Sequence, residues 1–529
     1  MPNDFVPAHG GQLRELATEF GIAEESLLDF SASINPLVPS DVLVATLCNL
    51  IHARKILTTY PDMHYSALKL AIAEYAQVDA RTIGIGNGVM PLLGVAVRAL
   101  GLRKCLVPVP AFTEYRRVLA SCGTECCTLV GKREDELSID RGRVIAALKT
   151  TGAQAVLLAN PQSPSGSLLQ SEELGCLHEA AAALGVTTIV DEAFIDYAPE
   201  ESLSHAAAES HGLVVLRSLT KFFAMPGLRV AYAVAHPEFS AAMDAFMAPW
   251  PVDSIAAEAA RLALEDRASI AAARATNARE REWLADRLRS LGLKVFPSEA
   301  NYLLLRIDEG RNGLELWRRL VVEHQVVIRN CANFEGLDEH YFRIGVCTRF
   351  ENQILVDALT KVLRSTLIPA TPAAAIDVVL DYSDAPVSPQ TRPDALTIIR
   401  IVAALVQDEE RRVLLVRKKG TRAFMQPGGK LKHSETQLAA IERELGEELG
   451  CSVRPGSPVF LGTFTAPAAN ESDCLVEAAL YQVELEGTIC AASEIEEITW
   501  IDPHSPGQVE LAPLTRDKVL PLARVGPRR

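Results

Sequence analysis

Residues 368–395 read IPATPAAAIDVVLDYSDAPVSPQTRPDA, and no other stretch constrains the fold as much. Proline, alanine and serine dominate it, and neither a helical nor a strand period is sustained. Such a segment offers no continuous apolar face, so the residues on either side must build their own cores. The chain has 529 residues, already too many for a single core. The reading is two domains, 1–366 and 396–529, joined by a linker at 367–395.

The larger part alternates short β-branched runs with longer amphipathic ones. AVLLAN (155–160), VTTIVDEAF (186–194) and GLVVLRS (212–218) read as buried parallel strands, with SEELGCLHEAAAAL (171–184) as a crossover helix. This rhythm predicts an α/β sandwich on a parallel or mixed sheet. One long helical stretch occupies 253–291. The strands NYLLLRI and VVIRN follow it, as in a small α+β lobe. The smaller part begins with strands TIIRIVAALV and RVLLVRKKG, then has a Gly-Gly turn, an acidic helix and more strands.

Within RSLTKFFAMPGLR (217–229), Lys221 stands among apolar residues. A buried lysine costs free energy unless it is paired or neutral. One chemical use of such an amine is a Schiff base with an aldehyde cofactor. Pyridoxal phosphate asks for that lysine and for cationic and hydroxyl groups around its phosphate. It also asks for a carboxylate at the pyridine nitrogen and an apolar face against the ring. The sequence offers each of these. Ser218 and Arg229 flank Lys221, and Asp191 ends the strand TTIVDEAF. GIGNGVM (84–90) precedes a helical run, so the N–H groups at Gly88 and Val89 suit a phosphate at a helix N-terminus. Phe112 in PVPAFTEY supplies a ring face. Taken singly, a glycine turn, a strand-end aspartate or a loop phenylalanine is usually only structure; their joint order is specific.

With these motifs in place, residues 5–365 resemble fold-type I pyridoxal-phosphate enzymes of the aminotransferase class I/II group. Within it they are similar to threonine-phosphate decarboxylases of cobalamin synthesis, relatives of the histidinol-phosphate aminotransferases. The likeness rests on AHGGQLRELA, LLDFSASINPL, YPDMHYSALKLAIAEY, GNG, DEAFIDY, RSLTKFFAMPGLRVAY, ANYLLLR and VIRNCANFEGLDEHYFRIGV. The resemblance implies a large α/β/α domain with a small α+β lobe. It implies that Lys221 carries the cofactor, Asp191 pairs with the ring nitrogen, and Ser218 and Arg229 hold the phosphate. Tyr60 of TYPD is implied to reach the phosphate of a partner subunit, which makes the protein a homodimer. Ser163 in NPQSPSG stands where the family places an asparagine against the phenolic oxygen.

The resemblance further implies substrate contacts from His9, Ser33 and Arg329. Phe194 stands where transaminases often have tyrosine. With the N-terminal HGG, it favours decarboxylation over transamination of the histidinol-phosphate type. In RIGVCTRFEN the family's substrate arginine position reads as Cys347, with Arg349 on the same strand face as its replacement. A lost guanidinium removes a bidentate anion clamp. The expected substrate is therefore a relative of phosphothreonine, such as a phosphonate or nucleotidylated amino acid.

The second chemical signal is GGKLKHSETQLAAIERELGEELGC (428–451). Glu444, Glu447 and Glu448 fall at i, i+3 and i+4, so a helix gathers three carboxylates on one face. Runs of charge are usually just solvated. This one, however, matches the whole Nudix box, G-x5-E-x7-R-E-U-x-E-E-x-G-U with U apolar. Residues 396–525 resemble a Nudix hydrolase domain, an α/β/α sandwich. The resemblance implies Mg²⁺ on Glu444, Glu447 and Glu448, with Glu435 and Arg443 tying loop to helix. It also implies water attack on a diphosphate linked to some group X. Glu477 and the acidic SEIEEITW edge read as surface charge.

The net charge of −15 argues against nucleic acid or an anionic membrane as a partner, and against a regulator with a basic helix-turn-helix. No apolar run is long enough to span a bilayer, and MPNDFVPAHGGQ lacks a basic segment leading into an apolar one. The eleven cysteines form no C-x-x-C pair, which fits thiols in a reducing compartment. The expectation is a cytoplasmic, bifunctional enzyme of small molecules.

Overall fold

The structure is a computed structural model. It describes residues 7, 9–37, 39–131, 137, 139–365, 397–408, 410–432, 435, 437–454, 457–468, 474–507 and 509–525. The expected linker lies outside the described residues. The chain divides into two compact units, Met1–Ala374 and Ala375–Arg529.

The first unit is built on a seven-stranded sheet. Its strands are β1 (Ile83–Gly86), β2 (Lys104–Val109), β3 (Glu125–Val130), β4 (Ala155–Ala159), β5 (Thr187–Asp191), β6 (Leu213–Ser218) and β7 (Ala231–Ala235). Their spatial order is β1-β7-β6-β5-β4-β2-β3. β7 runs antiparallel to both neighbours, and the other pairings are parallel. The central strands are buried at nearly every position because both faces are covered. Their period of two is still visible in what each side chain touches. Val156, Val190 and Val215 join one core with Leu68, Leu174 and Ala256 from helices. Leu157, Ile189 and Val214 join the other, with Leu92, Leu119 and Met243. β1 runs through a glycine turn into α1 (Val89–Ala99), whose N-cap is Gly88 at φ 96°.

The expected single long helix is two, α2 (Ser254–Glu265) and α3 (Arg267–Ser290). Asp266 breaks it, because its carboxylate caps α3 by accepting the Ser269 N–H at 3.0 Å. The small lobe is an antiparallel sheet of β8 (Lys294–Val295), β9 (Tyr302–Arg306), β10 (Arg329–Asn330) and β11 (Tyr341–Gly345), in the order β10-β11-β9-β8. The expected strand VVIRN splits at Ile328. Val326–Val327 pairs in parallel with Leu28–Asp29, whereas Arg329–Asn330 pairs with β11. After β11 comes α4 (Arg349–Ser365).

The second unit holds β12 (Thr397–Leu405), β13 (Val413–Lys418), β14 (Gly428–Lys430), β15 (Val459–Pro467), β16 (Cys474–Gln482) and β17 (Ile495–Ile501). A mixed sheet runs β14-β12-β16-β15, and β13 pairs antiparallel with β17. One face packs on α5 (Gln437–Leu449) through Ala440, Ile441, Leu445 and Leu449. The other is covered from the C-terminal side by Leu514, Val519, Leu520 and Ala523.

Candidate active sites

In the first unit, strand order decides what meets. β5 and β6 are parallel neighbours, so Asp191 and Ser218 end side by side. The segment after β6 carries Lys221, and β7 returns at once, with Ser218 opposite Ala231. Arg229 is thereby brought to the same end as Ser218. Its guanidinium lies against the start of α1. A Cβ at Gly88 would stand 2.8 Å from Arg229 Nη2. That contact forms a cup of helix N–H groups, a guanidinium and the Ser218 hydroxyl, which is 2.7 Å from Thr220 Oγ1. These donors suit a phosphate.

Asp191 is buried. Its Oδ2 accepts the Tyr115 phenol at 2.6 Å and its Oδ1 accepts the Ala193 N–H at 3.0 Å. Burial pushes the carboxyl up to about 6, against those bonds. Lys221 is half-buried, and its Nζ points to Ala32 O at 3.5 Å. Burial, then Arg343 and Arg229, lowers its amine to about 8. The lowering enlarges the neutral fraction, the form that condenses with an aldehyde. Phe112 meets Tyr115 edge-on at 5.8 Å, and His9 lies 6.2 Å from Phe112 and 3.2 Å from Glu114. Phe194 meets Tyr302 edge-on at 4.9 Å. Tyr60 is 79% exposed and stacks on Trp250. The Ser33 hydroxyl is buried without a hydrogen-bond partner. The lysine, the cup, the carboxylate and the ring faces together fit pyridoxal phosphate.

The sequence alone suggests a lost guanidinium at Cys347; the structure offers a buried one four residues earlier, Arg343 on β11. Arg343 is 9% exposed, lies 3.1 Å from Ser31 O and 3.4 Å from Ser163 Oγ, and sits over the Tyr302 ring. Cys347 packs instead at the edge of the small lobe's core, its thiol 3.9 Å from Asp29 O. Arg349 is not on a strand; it opens α4, bonds Glu280 at 2.7 Å and covers the Trp283 ring. The argument for a shifted substrate therefore loses its premise. Arg329 donates to Pro7 O, Asn330 O and Asn333 Oδ1, and burial brings it down to about 10, with Arg343 adding to the effect. Tyr115 was also missed. The available signal for Arg343 was a lone arginine inside the apolar strand YFRIG.

In the second unit, the Gly-Gly turn brings β14 against α5. Glu448 is 1% exposed; its Oε2 accepts the Gly428 N–H at 2.8 Å. Its Oε1 lies 3.1 Å from Lys418 Nζ. Burial pushes this carboxyl up, against Lys418. Glu444 lies so close to Gly429 that a Cβ there would be 2.2 Å from its carboxyl carbon. Arg443 bonds Glu444 at 2.6 Å and Glu435 at 2.7 and 2.8 Å, which holds Glu435 down at about 2. Glu447 is half exposed, 3.6 Å from Arg443. A cavity of about 640 Å³ opens onto Glu444, Glu447, Glu448, Lys418 and Glu494. Glu477 does not line it. Glu496 and Glu497 pair with Arg417 on the surface. The donor set is all carboxylate oxygen, the choice of a hard divalent cation.

The aminotransferase class I and II model matches residues 25–359, and the NUDIX domain model matches 397–523. The chain is 37% identical over 363 residues to a threonine-phosphate decarboxylase of Salmonella typhimurium, covering 68% of this chain and 97% of that one. A histidinol-phosphate aminotransferase from Clostridium acetobutylicum superposes with a TM-score of 0.59 at 29% identity, covering 64% of this chain and all of that one. An L-threonine-O-3-phosphate decarboxylase from Porphyromonas gingivalis does so at 0.56 and 27%, covering 63% and 99%. The match over more than half its length, with the lysine, carboxylate and phosphate cup in place, puts this chain in the aminotransferase class I and II family of pyridoxal-phosphate enzymes, with a Nudix hydrolase domain following.

Proposed function

We propose that the first unit decarboxylates an O-phosphorylated amino acid of the phosphothreonine kind, and that the second hydrolyses a diphosphate-linked compound with Mg²⁺. The observation that carries the first half is the pair Arg329 and Arg343. Arg343 lies near Lys221 and Arg329 near Arg343, and two buried guanidinium groups so placed suit a substrate with two anionic ends, a phosphate and a carboxylate. The Salmonella relative carries the name of that activity.

Bound pyridoxal phosphate supplies an electron sink for the pair left at Cα when carbon dioxide departs. Asp191 holds a proton on the ring nitrogen, and the Tyr115 phenol fixes the carboxylate that does so. Ser163, with Arg343 beside it, would offer a short donor to the cofactor's phenolic oxygen. The arginines would hold the anionic groups of the substrate and so set the orientation of the bond to its carboxylate. Lys221 Nζ then returns a proton to Cα. Tyr60, exposed on one chain, serves the phosphate cup of a second copy, so the working form is a homodimer.

In the second unit, Glu444, Glu447 and Glu448 hold the cation, and Arg443 with Glu435 keeps the turn on the helix. The deciding experiment offers phosphothreonine to the purified protein and measures CO₂ release beside keto-acid-dependent amino transfer. Amino transfer without CO₂ release would replace the decarboxylase reading with the aminotransferase one.

A further inference from the structure

Lys418 lies outside the Nudix box, yet it contacts the most buried of the three glutamates. Strand alternation puts it there. Leu414 and Val416 face the core beneath α5, and Lys418 is next on that side, at a register shift where β13 ends its ladder with β17. Its Nζ is 3.1 Å from Glu448 Oε1 and also pairs with Glu494. Glu448 Oε1 is buried and accepts no hydrogen bond of proper geometry. The ammonium therefore balances that oxygen's charge without satisfying it, and both groups open onto the cavity.

We propose that Lys418 is a resident counter-ion that the divalent cation displaces, and that the freed ammonium then holds the substrate phosphate remote from the attacked bond. This rests on the carboxylate reading above. The cavity's other paired cation at the helix, Arg443, is bound to Glu435, Glu444 and Glu447, so it has no charge to spare. Once a metal takes the charge of Glu448, Lys418 keeps only Glu494, a half-exposed partner that holds it weakly. The incoming diphosphate is then the strongest anion within its reach. Across the cavity, Ile399, Ile401 and Val476 present an apolar wall, which suits a group X with a flat or aliphatic face. Metal loading precedes tight phosphate binding in this scheme, because the same ammonium serves both.

The test uses the full chain with Mn²⁺ followed by spin resonance, and methylenediphosphonate as an unhydrolysable probe titrated by calorimetry. Lys418→Met is expected to tighten Mn²⁺ binding several-fold and to weaken diphosphonate binding in saturating Mn²⁺ by about tenfold or more. Lys418→Gln, which keeps a polar side chain without the charge, should show the same two shifts and covers the case in which the methionine variant folds poorly. Lys418→Arg should retain diphosphonate binding. Unchanged or weaker Mn²⁺ binding in both neutral variants overturns the displacement. Unchanged diphosphonate binding overturns the phosphate contact. If Glu448→Gln also leaves Mn²⁺ binding unchanged, the carboxylate reading itself has failed, and this inference fails with it.

Discussion

The Lys221 site draws its polar groups from segments as far apart in sequence as Ser31 and Arg343, brought together by strand ends, the turns after them and the middle of β11. The carboxylate site takes Gly428, Gly429, Glu435, Arg443, Glu444, Glu447 and Glu448 from one turn and one helix. Their electrostatics are mirror images. At the first, burial, with neighbouring cations adding to it, pushes Lys221 and Arg329 down, to about 8 and about 10. At the second, carboxylates crowd together, and burial pushes Glu448 up. Like charges held together mark the sign of the ligand each site is built to receive. The first awaits anions, the phosphate and carboxylate of cofactor and substrate; the second awaits a cation.

The largest effect should come from Lys221→Ala. The protein should lose its visible absorbance, and decarboxylation should fall by about 10⁴-fold or more, with diphosphate hydrolysis untouched. A lysine variant that also lost hydrolysis would break the independence of the two sites. Next is Arg343→Ala. Leaving a substrate carboxylate unpaired in a buried place costs about 2–5 kcal/mol, or about 30- to 4,000-fold in kcat/KM. Cys347→Ser should leave kcat/KM nearly unchanged; kinetics with both variants measure whether the arginine is placed correctly. Glu448→Gln should cut hydrolysis more than about 100-fold, since even loss of a hydrogen bond to a metal ligand costs about 10- to 100-fold in affinity. Decarboxylation by that variant should be unchanged.

The smallest effect is a pH profile. Only the neutral Lys221 amine attacks an aldehyde. Its pKa is lowered, so the neutral fraction grows as pH rises through about 8, well below the ordinary lysine value. The rate at which cofactor-free protein takes up pyridoxal phosphate, read by absorbance, should rise with a midpoint near that pH. Arg343→Ala removes one of the charges that lower the amine, so its midpoint should move up. A midpoint that stayed put would mean that burial and Arg229, without Arg343, set the amine.

The same contrast explains what was legible in the sequence. The carboxylate site is local: helical spacing put the three glutamates on one face, and the resemblance carried by that one continuous motif added Glu435 and Arg443. The Lys221 site is assembled by strand order, which spacing does not reveal. Asp191, Ser218, Lys221 and Arg229 were legible because each lies at or just beyond a strand end in a motif of its own. Arg343 was not. Locating it by counting within RIGVCTRFEN began after the strand residue that mattered, and put two residues of a turn and a helix start onto a strand. Tyr115 ends the stretch PVPAFTEY, but its role shows only in the fold, where its helix buries it against Asp191. Lys418 escaped notice because its partner is 30 residues on, at the far end of the box. The break at Asp266 is a matter of capping, which a smooth apolar period hides.

The single reversed strand, β7, has a consequence for how the protein can change over time. Where two ligands sit on successive parallel strands, a whole crossover helix lies between them, and any drift in that helix shifts their separation. Here Ser218 and Arg229 are joined by one tight excursion and locked by the pairing of Ser218 with Ala231. That part of the phosphate cup, unlike the N–H groups at the start of α1, is thus insulated from substitutions in the crossover helices. Those helices are free to diverge in sequence while the grip on the cofactor stays fixed.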